Sequence, residues 1–344
     1  MIETATSPLR IVSIGGGNGL STLLRGLKRY ARPESGGVEL TAIVTVTDDG
    51  GSSGRLRREF DVLPPGDIRN CMVALSEDET LLAKLFQYRF AGGAGLKGHS
   101  FGNLFLTAMS GLTGDFAQAV KLSCEVLAVA GRIYPSTAAN VVLEATLADG
   151  RKLAGETRIS RSTTPIAQVE LRPRRAKPLK ETLEAIANAD LITLGPGSLF
   201  TSVIPNLLVD GIPQAIARSA ARKAYFVNLM TQPGETTHFR ASDHVRAVLS
   251  HAGTAGRRLI DVCVVNTRAY SKKALESYRL QAAQPVDVDL DVLKGLGVKV
   301  IATDLLRMNS RRPAEKIRHD SGALAAVAIE IAQLGRRARR RLAS

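Results

Sequence analysis

Several short polar clusters in this chain are of the kind that receives phosphate. Ile14-Gly-Gly-Gly-Asn-Gly19 follows a β-branched run and precedes a helical pattern, so Gly15, Gly16, Gly17, Asn18 and Gly19 offer unpaired amides at a strand-to-helix junction. Amides and the positive helix end there suit an anion, and glycine lets the ligand approach without Cβ atoms in the way. Gly195-Pro196-Gly197-Ser198 repeats the junction and is a second candidate phosphate cradle. Between them, Thr47-Asp48-Asp49-Gly-Gly-Ser52 closes an apolar run. Its adjacent carboxylates could take sugar hydroxyls or hold a Mg²⁺ that bridges phosphates, although neighbouring side chains on an extended segment diverge.

Four further clusters complete the set. Gly98-His99-Ser100-Phe101-Gly102-Asn103 precedes a long apolar helix; Ser100 can cap it, Gly102 and Asn103 are pocket candidates, and His99 suits either a loop hydrogen bond or acid–base work. Asn228, Thr231, Gln232 and Glu235 make the end of another apolar run unusually polar, as a site reading base edges or sugar hydroxyls would be. Arg318 stands before a capped final helix, where a guanidinium could clamp a diphosphate. Asn266, Thr267 and Arg268 form a weaker cluster.

The absences exclude several chemistries. Neither register of the first loop fits G-x-G-x-x-G, and it has no Gly-Lys-Ser/Thr, so a standard nicotinamide site and a P-loop are both disfavoured. No Ser or Cys is visibly paired with a His, and Cys71, Cys124 and Cys263 have no metal spacing.

These clusters require a scaffold that brings loop ends together. Apolar runs at Leu9–Ile14, Glu39–Thr47, Ala189–Leu194, Ala224–Leu229, Leu259–Val265 and Val298–Ala302 alternate with helical patterns at 21–30, 66–90, 102–131 and 322–334. That alternation predicts an α/β fold with a doubly wound, mostly parallel, Rossmann-like sheet, whose ligands sit beyond the carboxyl ends of the strands. Asp149-Gly150 lies between alternating runs, so a small antiparallel β insertion at about 138–180 is expected. The division is then one α/β domain over 1–334 and a basic tail over 335–344. Leu324, Val327, Ile331 and Leu334 would form the buried face of the last helix, with Asp320 or Ser321 as its cap.

The chain has 344 residues and a net charge of +14, yet five arginines fall in Arg336–Arg341 and five cations in Arg172–Lys180. With 4% aromatics and no Trp, no stacking surface for nucleic acid is evident. No apolar run approaches a membrane span, and Met1–Ser7 does not read as a signal peptide; a cytoplasmic location is expected.

Taken together, the six motifs, including Val46–Gly54 and Pro64-Pro-Gly-Asp-Ile-Arg69, resemble the YvcK-type gluconeogenesis factors of the CofD-like (2-phospho-L-lactate transferase) superfamily, from about Arg10 to Leu334. The resemblance implies a CofD-like domain and a cytoplasmic regulatory protein that binds a UDP-sugar such as UDP-N-acetylglucosamine. It further implies a role in growth on gluconeogenic carbon sources and in cell shape, with self-association left open. The alternative it implies is Mg²⁺-dependent transfer from a nucleotide diphosphate donor, with Asp48 and Asp49 at the metal. Ser321 falls where some relatives carry a phosphorylated Thr.

Overall fold

In the computed structural model, which describes residues 7–31, 37–76, 81–307 and 317–343, the strands are β1 (Leu9–Gly15), β2 (Val38–Val44), β3 (Arg132–Pro135), β4 (Val142–Leu147), β5 (Lys152–Ala154), β6 (Ile166–Arg172), β7 (Leu191–Leu194), β8 (Arg222–Phe226), β9 (Val262–Asn266) and β10 (Lys299–Thr303). Seven of them form one sheet in the order β10-β9-β8-β7-β1-β2-β3, and every pairing in it is parallel. From β1 the chain steps outward to β2 and β3, then returns to the centre and steps the other way from β7 to β10. The order therefore reverses between β1 and β7, where the loops leaving two neighbouring strands diverge and open a crevice.

Burial explains the apolar runs. Ile11–Gly15 and Leu191–Leu194 are buried at every position, as central strands covered on both faces must be. The Gly17–Leu27 helix buries Leu20, Leu23, Leu24 and Leu27, one face at helical spacing. It crosses the Ser321–Ala343 helix so closely that a Cβ on Gly26 would strike the Ser321 carbonyl.

The antiparallel insertion is present as β5-β4-β6, with the Glu156–Ser160 helix between β5 and β6. The structure divides the helical stretches, adds an edge strand and corrects the last helix. The 66–90 and 102–131 patterns each contain two helices, Gly66–Leu75 with Leu81–Gln87 and Phe101–Thr113 with Phe116–Val126. The edge strand β3 went unforeseen. The last helix does not end at Leu334 but runs to Ala343, and Arg336 ion-pairs with Asp190 while donating to the Ser7 and Pro8 carbonyls. Its buried stripe is Leu324, Ala325, Ala328, Ile331 and Ala332, with Val327 only partly buried and Leu334 half exposed. Small alanines permit closer approach than the anticipated Val and Leu. Asp320, not Ser321, is the cap: its Oδ1 accepts the Ala323 amide at 2.8 Å. No single helix among the described residues is long and apolar enough to cross a membrane.

Candidate functional site

The two glycine loops meet at the reversal point. Gly195 donates its amide to the Ile14 carbonyl at 3.0 Å, carrying the β1–β7 ladder into the loops. Gly19, in the first turn of its helix, lies against Pro196 and Gly197 so tightly that a Cβ there would come within 2.7 Å of the Gly197 Cα. Gly195 holds φ +71°, a left-handed turn that favours glycine. The amides of Asn18 and Gly19 have no carbonyl one turn earlier to accept them. The amide of Gly17 faces the Asp67 carboxylate, so part of the helix's positive end already meets an internal anion.

Beyond these loops opens a cleft of about 260 Å³, lined by Gly19, Pro196, Gly197, Ser198, Asn228, Thr231, Gln232 and Arg318 together with Leu229, Met230, Tyr278, Ile317 and His319. Eight residues singled out in the sequence thus share one wall system at the carboxyl edge of β1, β7 and β8. The cradle is cross-braced: Asn228 Oδ1 accepts the Gly197 amide at 3.3 Å, and Gln232 Nε2 donates to Ser198 Oγ at 2.9 Å. The sequence reading missed Tyr278 and His319. Tyr278 lies in an amphipathic helix with no motif around it, and its hydroxyl donates to the Ile317 carbonyl at 3.3 Å. His319 adjoins Arg318, which was its only signal.

The remaining candidates sit beneath the cleft or beside it. Gly15, Gly16 and Gly17 do not line the cleft; Gly16 is packed so that a Cβ on it would be 2.7 Å from Thr45 Cγ2. Asn18 accepts the Ser21 and Thr22 hydroxyls through its carbonyl, and Thr47 Oγ1 shares a 3.0 Å bond with Thr45. Glu235 is buried against the Leu199–Val203 turn. The amides of Leu199 and Phe200 and the Thr201 hydroxyl favour its charged form, but burial dominates and lifts its pKa to about 7.

The acidic pair divides its labour. Asp48 Oδ1 accepts the Gly50 amide at 2.9 Å, while its Oδ2 faces Gly66 beside the Ser53 hydroxyl. Asp49 turns to the insertion, where Oδ1 accepts both the Thr157 amide (2.8 Å) and the Thr157 hydroxyl (2.7 Å). Behind them lie Asp67 and Glu156. Burial and the nearby Asp48 charge raise Asp67 to about 7, and burial with the charges of Asp67, Asp48, Glu235 and Asp49 holds Glu156 well above the usual carboxylate range. Among the described residues, no group of three or more His, Cys, Asp or Glu side chains is arranged to hold a metal.

A second polar patch joins this acidic floor. Ser52 Oγ lies 3.0 Å from His99 Nδ1, a buried Ser–His pair that the sequence reading did not anticipate. Burial and the Arg55 charge keep His99 below its ordinary pKa. Asn103 Nδ2 donates to Ser53 Oγ at 3.3 Å, Arg69 donates to Ser100 Oγ at 2.6 Å, and Gly102 packs against Arg69 and the Phe86 carbonyl. None of Ser52, Gly102 or Asn103 lines the cleft. Asn266 and Arg268 lie apart from it too, Arg268 paired with Asp304 at 2.8 Å.

A larger cavity, about 510 Å³, opens over the early residues of β1, β2 and β3, with Arg10, Glu39, Arg132, Glu181 and Glu184 in its walls. It faces the end of the sheet away from the glycine loops. Size alone does not mark the site.

Comparison with known proteins agrees with the fold. Residues 11–306 match the family described as 2-phospho-L-lactate transferase CofD. The gluconeogenesis factor of Bacillus subtilis is 46% identical over 94% of this chain and 98% of its own length, and that of Halalkalibacterium halodurans is 48% identical over 89% and 95%. The crystal structure of a Bacillus halodurans protein superposes with a TM-score of 0.88 at 45% identity, covering 94% of this chain and all of that one.

Proposed function

The chain belongs to the 2-phospho-L-lactate transferase CofD family, among relatives named gluconeogenesis factor, and from that premise we propose that its cleft binds the diphosphate of a nucleotide sugar. The ligand class is a UDP-sugar such as UDP-N-acetylglucosamine, and the role is that of a cytoplasmic regulatory protein supporting growth on gluconeogenic carbon and cell shape. One observation carries the reading: the Gly15–Gly19 and Gly195–Ser198 loops touch at the switch point, with Arg318 across the cleft they begin. Gly19, in the first turn of its helix where amides lack carbonyl partners, and Arg318 then line one volume, a pairing suited to a diphosphate without a P-loop lysine. Asn228, Thr231 and Gln232 supply amides and hydroxyls for the polar remainder. Calorimetric titration with UDP-N-acetylglucosamine tests this; saturable binding supports it, and no heat at millimolar ligand refutes it.

A second reading, Mg²⁺-dependent transfer from a nucleotide diphosphate donor, draws on the family's description and on Asp48. Mg²⁺ is commonly held by one or two carboxylates plus phosphate oxygens, and Asp48 Oδ2 beside Ser53 fits that modest requirement. Asp49, occupied by Thr157, fits it less well. When bound, the cation would neutralise charge on the diphosphate. Mg²⁺-dependent turnover that disappears in Asp48→Asn would favour this reading over simple binding.

A further inference from the structure

The amino edge of the sheet, opposite the glycine loops, carries cations that the cleft does not use. Arg222 opens β8 and Lys299 opens β10. Arg257 and Arg258 close the Gly253–Arg258 turn ahead of β9, and Arg218 closes the Ile212–Arg218 helix ahead of β8. The last helix brings its basic end to the same place. A Cβ on Gly335 would lie 2.6 Å from Arg222 Cγ, and Arg336 pairs with Asp190, the residue before β7. Arg337 follows at the next position. Buried Lys223 feels the charges of both Arg222 and Arg258, so those two lie close to it.

Arg218, Arg222, Arg257, Arg258, Lys299 and Arg337 are exposed, and their side chains make no ion pair or hydrogen bond among the described residues. The carboxylates of this half of the edge are already engaged: Asp190 holds Arg336, and Asp261 Oδ2 accepts the Lys223 amide at 2.9 Å. Glu39, Glu181 and Glu184 gather on the other half, around the cavity over β1–β3. The excess charge is therefore local to β7–β10. Neighbouring strands lie about 4.8 Å apart, so four of them spread these cations over a front about 15 Å wide, a face rather than a point.

Two features select the anion that such a face fits. Leu334, half exposed, stands one turn before Arg337 on the last helix, and an apolar side chain beside cations suits the headgroup boundary of a bilayer. Single-stranded nucleic acid would require stacking rings, yet the most exposed aromatics among the described residues, Phe60 and Tyr88, lie at the ends of the Gly51–Phe60 and Leu81–Gln87 helices, outside this edge.

We propose that the amino edge of β7–β10, with the end of the last helix, docks the protein on a membrane leaflet rich in acidic phospholipid. The attachment is peripheral, by charge, with no segment crossing the bilayer. Docked in this way, the protein turns the carboxyl edge and its cleft away from the lipid, open to soluble ligand.

Co-sedimentation of the full chain with phosphatidylcholine vesicles, with and without about 30% phosphatidylglycerol, tests the assignment at about 0.1 M and about 0.5 M KCl. Binding is expected to the acidic vesicles alone and to disappear at the higher salt. Arg258→Glu/Arg337→Glu should weaken it about tenfold or more, since each basic residue near an anionic leaflet contributes several-fold. Lys84→Glu/Lys121→Glu changes net charge equally but alters exposed lysines on other helices, and should change binding less than about twofold. Equal weakening by the two pairs overturns the proposal, because net charge rather than this face would then be responsible. Equal binding to both vesicle types, or none to either, overturns it as well. So does tighter binding to duplex DNA than to acidic vesicles at the same salt, which would make nucleic acid the partner. Should the first pair fail to fold, the lipid and salt dependence of wild type still decides.

Discussion

Replacing Gly19 by Ala probes the meeting of the two loops with a single methyl group. Gly19 lies in the first turn of the Gly17–Leu27 helix, where alanine propensity alone would add up to about 1 kcal/mol of stability. Against this, the new Cβ would meet the Pro196 carbonyl carbon at 2.5 Å and the Gly197 Cα at 2.7 Å, and would crowd the Pro196 oxygen still more. These are backbone atoms held by the β1–β7 ladder, so they cannot rotate away. Overpacking of this kind costs about 1–3 kcal/mol, and contact with main chain on both sides puts Gly19→Ala at the upper end, so the clash outweighs the propensity gain. We expect a net loss of about 1–2 kcal/mol in urea unfolding and a clear drop in UDP-sugar affinity as the loops separate. Gly111→Ala is the control: it lies in the last turn of the Phe101–Thr113 helix with open space around it, and should be neutral or stabilising. A Gly19→Ala protein as stable as wild type, with unchanged ligand affinity, would show that the loops are not in the contact described.

Other substitutions separate binding from support. Arg318→Ala should retain the wild-type melting temperature within a few degrees and lose about tenfold or more in UDP-N-acetylglucosamine affinity, since a charge-assisted hydrogen bond is worth about 1.5–3 kcal/mol; equal affinity in calorimetry would remove Arg318 from the site. Asp49→Ala should cost about 1–3 kcal/mol by freeing the Thr157 amide and hydroxyl, and hydrogen exchange should quicken at residues 156–160; unchanged exchange there would contradict the docking role. Glu235 and Asp67 both titrate near pH 7 in the folded protein, above the ordinary carboxylate range. The folded state then holds protons the unfolded state has released, so stability should fall as pH rises from about 4.5 to about 7, by up to about 1.4 kcal/mol per unit per group. Urea titrations from pH 5 to 8 should show that slope reduced in Glu235→Gln; an identical slope would mean Glu235 is not the buried acid described.

The sequence made the sheet legible because central parallel strands are buried on both faces and read as near-continuous apolar runs followed by glycine. It hid β3 because four residues, Arg132-Ile-Tyr-Pro135, follow a helical stretch and end in proline, so they carry neither length nor alternation. The cleft was legible wherever a loop leaves a strand at the carboxyl edge, as at Gly19, Ser198 and Gln232. It was illegible where tertiary approach supplies the residue: Tyr278 reaches the site from an amphipathic helix far along the chain. Asp48 and Asp49 look equivalent in sequence, yet extended backbone sends one toward Gly66 and the other into the insertion. The Ser52–His99 pair joins residues 47 apart, beyond any local pattern.

A crystal structure of the protein with UDP-N-acetylglucosamine would be decisive. The diphosphate should rest between Gly19 and Gly197–Ser198, with the Arg318 guanidinium in hydrogen-bond contact and the nucleoside toward Asn228, Thr231 and Gln232. Density for the nucleotide in the cavity over the early residues of β1–β3, with these loops empty, would contradict the account.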